Sequence, residues 1–249
     1  MNCRIRLIIL VLFPFGLLSC VKNETEKVNL NSDENFFPLK IGQVRVYQVD
    51  SILFRQGKLL DSTVSYVKEE ITKLVKDTLG EEFIILKSYR KKLTDTWQPL
   101  ASYTARLYQN KAIRNEGNIN IIPLVFPISS QLTWNGLAFL NEDQEFNVAG
   151  ESVQVFQGWE SFKINDLPKA EKIGAFNFDQ VLTVLQSDEE DIINKRYSLE
   201  KYVSGVGLAF RIMIILDCNS NINNCIPSIP WEKRATKGFI LKQTLLDFK

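Results

Sequence analysis

Between residues 43 and 248 the chain returns repeatedly to short stretches rich in Val, Ile, Tyr and Phe. Their apolar and polar side chains alternate at period two, the spacing of a strand with one face in a core and the other in water. In residues 82–92, Phe83, Ile85, Lys87 and Tyr89 alternate with Ile84, Leu86, Ser88 and Arg90. The same reading predicts strands at 43–54, 62–75, 82–92, 100–109, 112–121, 144–148, 153–162, 180–186, 194–203, 208–217 and 237–248. Arg55-Gln56-Gly57-Lys58 supplies the turn of a long first hairpin, and Gly80 separates the second and third strands. Pro123 and Pro127 bracket Leu124-Val125-Phe126. Because proline withholds a ladder donor, this reads as a buried edge strand entering a long loop at Trp134-Asn135-Gly136, one rim of a pocket. Helical periodicity is confined to a turn or two around 168–173 or 188–193. The expected fold class is all-β. One antiparallel, curved sheet forms a barrel or half-barrel, with a β-sandwich as the alternative and few short helices.

The first thirty-five residues do not share this pattern. Arg4 and Arg6 precede an apolar run at 7–18, interrupted by Pro14 and Gly16 and too short to span a bilayer, so residues 1–19 read as a secretory signal. Residues 20–35 are polar and lack aromatics, which predicts a flexible tether. A single β domain is expected over 36–249.

Composition removes several function classes. Thirty basic against 29 acidic residues give a net charge of +1, so no nucleic-acid partner is announced. The chain has no histidine, which removes every Ser-His or Cys-His nucleophile and the commonest zinc ligand. No cofactor and no metal is implied. Asp217, Asn219 and Asn221 copy the first spacings of a calcium loop, but Ile222 stands where the turn needs Gly and Ser228 where a bidentate Glu belongs.

Leu17-Leu18-Ser19-Cys20 resembles the lipobox of bacterial lipoproteins. The resemblance implies cleavage before Cys20 and acylation of its thiol, and multiple acyl chains hold a protein at a membrane stably. Val21 after the cysteine favours the outer membrane over the inner. Lys22 with Glu24 and Glu26 resembles the export signal of surface lipoproteins in the Bacteroidota, and leaves the periplasmic or surface face open. Two further segments, Phe36-Phe37-Pro38-Leu39-Lys40-Ile41-Gly42 and Glu200-Lys201-Tyr202-Val203-Ser204-Gly205-Val206-Gly207-Leu208, resemble Bacteroidota envelope lipoproteins with curved, half-barrel sheets. That resemblance carries no activity with it. Gly205 and Gly207 flank one Val and read as a sheet corner where φ must be positive or another chain segment comes close.

With Cys3 lost in the signal and Cys20 acylated, Cys218 and Cys225 have only each other in an oxidising compartment, which predicts a disulfide. Acid pairs that a glycosidase would need exist at Glu69-Glu70, Glu81-Glu82 and Glu189-Glu190-Asp191. All are expected to be solvated acids at strand ends and turns, so no catalytic residue is assigned. Trp97, Trp134, Trp159 and Trp231 are expected to pack in the core or line a cleft. Ser51, Ser62 and Thr78 each follow an aspartate in a pattern resembling the O-glycosylation motif of exported Bacteroidota proteins. The function expected is that of a membrane-anchored, non-enzymatic envelope scaffold that binds a protein, glycan or lipid. Carriage of an apolar ligand on a concave sheet is the alternative, and a carboxylate-based hydrolase comes third.

Overall fold

A computed structural model describes residues 30–78 and 80–249; the signal, Cys3, Cys20 and Leu79 lie outside the described residues. Twelve strands form one antiparallel sheet, curled into a nearly closed barrel. The first half is a meander of β1 (Val44–Arg55), β2 (Lys58–Asp77), β3 (Gly80–Arg90), β4 (Gln98–Tyr108), β5 (Lys111–Glu116) and β6 (Ile119–Val125). After the two-residue β7 (Thr133–Trp134), a small hairpin of β8 (Phe146–Val148) and β9 (Glu151–Val153) stands apart from the sheet. The second half runs through β10 (Phe162–Ile173), β11 (Phe176–Glu190), β12 (Asn194–Val203), β13 (Gly207–Asp217) and β14 (Lys237–Phe248). Strands β1 and β14 pair along most of their length and join the halves, leaving β6 and β7 as the edges.

Those edges are tied to each other. The Ile122 amide donates to the Gly136 carbonyl at 2.8 Å, and the Trp134 indole Nε1–H donates to the Ile122 carbonyl at 2.7 Å. Pro123, next along β6, needs no ladder partner and suits this edge. Gly136 is required here because a Cβ would sit 2.2 Å from the Phe162 ring.

Both ends of the barrel are plugged. At one end Phe36 and Phe37 are buried among Ile85, Tyr103 and Leu208. At the other, the connection between β7 and β10 folds inward, burying Leu137, Val155, Phe156 and Trp159 against Phe162 and Ile215. Each large side chain so buried contributes about 1.5–3 kcal/mol.

The structure corrects several expectations. The segment 112–121 is two strands, because Gly117 and Asn118 both adopt positive φ and turn the chain. Strand 153–162 is absent between Val153 and Phe162, where β9 ends and β10 begins; the residues between them contribute to the plug. Residues 168–173 and 188–193 are not helical, since β10 covers the first and β11 extends to Glu190. Strand β10 tolerates Pro168 because most of it lies on a free edge and its pairing with β11 shifts register three times. Helical turns occur instead at α1 (Leu30–Asp33), a 3-10 turn (Glu34–Phe36) and α2 (Trp231–Arg234). The first falls inside the expected tether and the second crosses its end into Phe36; Asp33 accepts from the Ile128 amide at 2.9 Å.

Candidate functional site

Strand register assembles a charged layer inside the barrel. Residues paired across a ladder share a face, so Arg45, Glu69 and Lys87 lie side by side on β1, β2 and β3. In the other half Gln243, Arg211 and Glu200 lie side by side on β14, β13 and β12. Arg114 and Glu116, two apart on β5, share one face and add a third contribution.

The layer is knitted by ion pairs. Arg114 donates to Glu200 Oε1 at 3.0 Å from the far side of the barrel, and Arg211 Nε donates to the same oxygen at 2.7 Å. The Tyr202 hydroxyl donates to Glu200 Oε2. Lys87 donates to Glu116, whose second oxygen lies 3.7 Å from Arg114 Nε. Arg45 pairs with Glu69 at 3.7 Å, and the Tyr47 hydroxyl donates to the Leu208 carbonyl at 2.9 Å.

Protonation states follow from this geometry. Burial acts to raise the Glu200 carboxyl, but Arg114, Arg211 and the Tyr202 hydrogen bond outweigh it and hold the pKa at about 2. Burial opposes ionisation of Glu116 too, and Lys87, Arg211 and Arg114 again bring it to about 2. Burial pushes Tyr47, Tyr103 and Tyr202 upward, so their hydroxyls stay neutral, and those of Tyr47 and Tyr202 serve as donors.

Beside this layer lies a cavity of about 230 Å³. Arg114, Glu116, Glu200, Arg211 and Gln186 line one part of it, and Ile119, Ile121, Phe156, Trp159 and Met213 line the rest. A hollow of about 430 Å³ lies at the Phe36–Phe37 end, lined by Phe37, Pro38, Leu39, Lys40 and Glu81 among others, and two more lie at the opposite rim. One, about 450 Å³, is lined by Glu160, Glu189, Glu190, Asp191 and Arg196 among others; the second, about 400 Å³, by Asn135, Leu137, Trp159 and Glu142. The loop after Trp134 therefore does form a rim. Desolvation, then a hydrogen bond to Glu160, raises the Glu142 carboxyl.

Among the residues singled out from sequence, Cys218 and Cys225 form a disulfide, with Cα atoms 5.8 Å apart. Gly205 and Gly207 flank the β12–β13 turn with φ of +78° and +91°. A Cβ on Gly207 would meet Arg45 at 2.6 Å and Pro38 at 3.3 Å, and the Gly205 amide donates to the Asn35 carbonyl at 2.8 Å. The FFPLKIG and EKYVSGVGL segments thus meet at one barrel end. Ser51 is half-buried within β1, whereas Ser62 and Thr78 are exposed.

The acids split. Glu69 is a correction: its carboxylate is buried in the charged layer, because it faces inward opposite Arg45. Glu70, Glu81 and Glu82 engage Lys68, Lys76 and Thr104. Glu190 accepts from Lys195 and from the Trp231 indole at 2.6 and 2.7 Å, and Asp191 accepts from the Ile193 and Asn194 amides. Asp217 is paired with Arg196 at 2.6 Å. Trp159 and Trp231 are buried, Trp134 packs against the core, and Trp97 stacks on Arg90 at 4.2 Å. Sequence reading missed Arg114, Glu116, Glu200 and Arg211. Only Arg211 stands on a mostly apolar inward face, with Ala209, Met213 and Ile215; on β12 and β5 the inward phase itself is polar, which hides it from a reading by apolar alternation.

No family model matches the sequence, and no curated protein matches it. Two crystal structures of Bacteroidetes proteins are similar. One is a protein from Parabacteroides distasonis described as a lipoprotein, 15% identical with a TM-score of 0.40, the match covering 86% of this chain and 98% of that one. The other, from Bacteroides fragilis, is described as an exported protein with a YmcC-like fold. It is 11% identical with a TM-score of 0.40, over 85% of this chain and 97% of the other.

Proposed function

We propose that this is a lipid-anchored protein of the bacterial outer membrane that works as a non-enzymatic binding scaffold, its partner an envelope protein or glycan engaged through the barrel's loops. The observation that carries the reading is the filled interior. A carrier of lipid needs an open apolar cavity of about 300–1,000 Å³. The space beside the charged layer is about 230 Å³ and its wall carries four charged side chains. A hydrolase is disfavoured because Glu69, Glu190 and Asp191 are each held by structural partners.

Anchoring rests on the lipobox at 17–20. Cys20→Ala protein is expected to accumulate as uncleaved precursor and to take up no labelled fatty acid. Mass spectrometry of protein purified from its own envelope tests the scaffold reading: no stoichiometric phospholipid is expected beyond the covalent anchor. A retained phospholipid at one per chain would put the carrier first.

A further inference from the structure

Strand β2 outruns one of its neighbours. It pairs with β1 from Lys58 onward, but β3 joins it only at Tyr66, so residues 58–65 have a strand on one side alone. The ladder on the far side of β1 tells which backbone groups are left over. Val44 exchanges both of its hydrogen bonds with Lys249, just past β14, so the even residues of β1 bond to β14 and the odd ones to β2. Register then turns Asp61, Thr63 and Ser65 toward β1 and points the N–H and C=O groups of Ser62 and Val64 outward, where no strand meets them.

The other free edges are blunted. Strand β10 is broken by Pro168 and three register shifts, and β6 is held through Ile122 by Gly136. The β2 edge has one bulge, at Leu60, and carries Leu59, Leu60 and Val64, each more than half exposed.

What can cover this edge is limited by length and area. Residues 20–29 join the structure at the Phe36–Phe37 end, and fully extended they span at most about 35 Å. Strand β2 leaves that end at Asp77, and Ser65 lies about 40 Å along it, so this segment falls short. Two copies pairing edge to edge would overlap over about 25 Å at one strand's width, far less than the roughly 1,200 Å² that a stable interface buries.

We infer that the edge accepts an extended segment of a partner protein, added as a further strand that bonds the backbone of Ser62 and Val64 and packs apolar side chains on Leu59, Leu60 and Val64. The inference rests on the scaffold reading and narrows its partner from a protein or glycan to a protein.

The test places the photo-crosslinker p-benzoylphenylalanine at Leu60 of the full chain in intact cells, and separately at the exposed Phe139 of the rim loop. A protease-sensitive adduct is expected from Leu60. Val64→Pro removes an outward N–H while sparing the β1 ladder, and should cut that adduct at least about tenfold with the urea midpoint unchanged, whereas Val64→Thr should not. Val64→Lys keeps every backbone group and blunts the edge, and should give the same loss if the proline variant fails to fold. No adduct from Leu60, an adduct of twice the chain's mass, or one that survives both substitutions would overturn the inference. A protein adduct from Phe139 in any of those cases leaves the scaffold reading standing, and silence at both positions counts against both.

Discussion

Arg114 on β5 and Glu200 on β12 stand 86 residues apart in sequence and 3.0 Å apart in space, a charged strut across the barrel interior. Neither end is free to reach water: their side chains are 7% and 1% exposed. Desolvating two such groups is expensive, and the second arginine on the same carboxylate, Arg211, helps to offset that cost.

Breaking this strut should therefore cost much more than breaking a surface pair. Glu200→Gln leaves two arginines facing a neutral amide and is expected to lower unfolding free energy by about 3–5 kcal/mol in urea titration. Glu81→Gln removes an exposed pair with Lys76 of similar length, 2.8 Å, and should change stability by less than about 1 kcal/mol. Comparable losses from the two would show that burial does not set the cost.

Acid should unfold the barrel through the same carboxylates. Glu116 and Glu200 sit at about 2 in the folded state against an ordinary value of 4.5. Their folded pKa values are depressed, so their contribution is complete above 4.5 and is lost as pH falls toward 2. Urea midpoints should be flat above about pH 5 and fall steeply below it. In Glu200→Gln the slope of that fall should shrink, because one of the two titrations is gone.

Sequence periodicity carried the fold class because strand alternation is local, and β1, β12, β13 and β14 lie close to where residues 43–54, 194–203, 208–217 and 237–248 predicted them. What it could not carry was closure. Trp134 and Gly136 lie within 14 residues of Ile122, but β7 closes the ring only because its other side pairs with β10, and that closure brings Arg114 to Glu200. Glu69 read as a solvated acid because its neighbours Lys68 and Glu70 are charged, while its inward phase opposite Arg45 is a matter of register. Strand β10 was hidden because Asp166 and Pro168 interrupt its alternation, a break tolerated through three shifts of register. Local signals did suffice at Cys218 and Cys225, which are close in sequence.

That disulfide closes a short loop packed on Phe54 and Trp231. Cys218→Ser with Cys225→Ser is expected to lower stability by about 2–3 kcal/mol, chiefly by freeing the unfolded chain. Thiol titration of denatured, unreduced protein should find neither sulfhydryl. Two reactive thiols in protein taken from the envelope would contradict the pairing.

The two glycines of the β12–β13 turn should respond differently to the same methyl group. Both have positive φ, so alanine at either is strained by about 1–2 kcal/mol. Gly205 has open space where its Cβ would stand, and Asn, which tolerates this backbone, should recover most of the loss there. Gly207 has no such space. Its Cβ would fall 2.6 Å from Arg45 Nη1, pushing that guanidinium off the Val206 carbonyl and away from Glu69. Gly207→Ala should therefore cost more than Gly205→Ala by at least about 1 kcal/mol, and Gly207→Asn should not rescue it. Trimming Arg45 to Ala in the Gly207→Ala background separates the causes. If the clash dominates, the double variant loses less than the sum of the two singles; strict additivity would assign the whole effect to backbone strain.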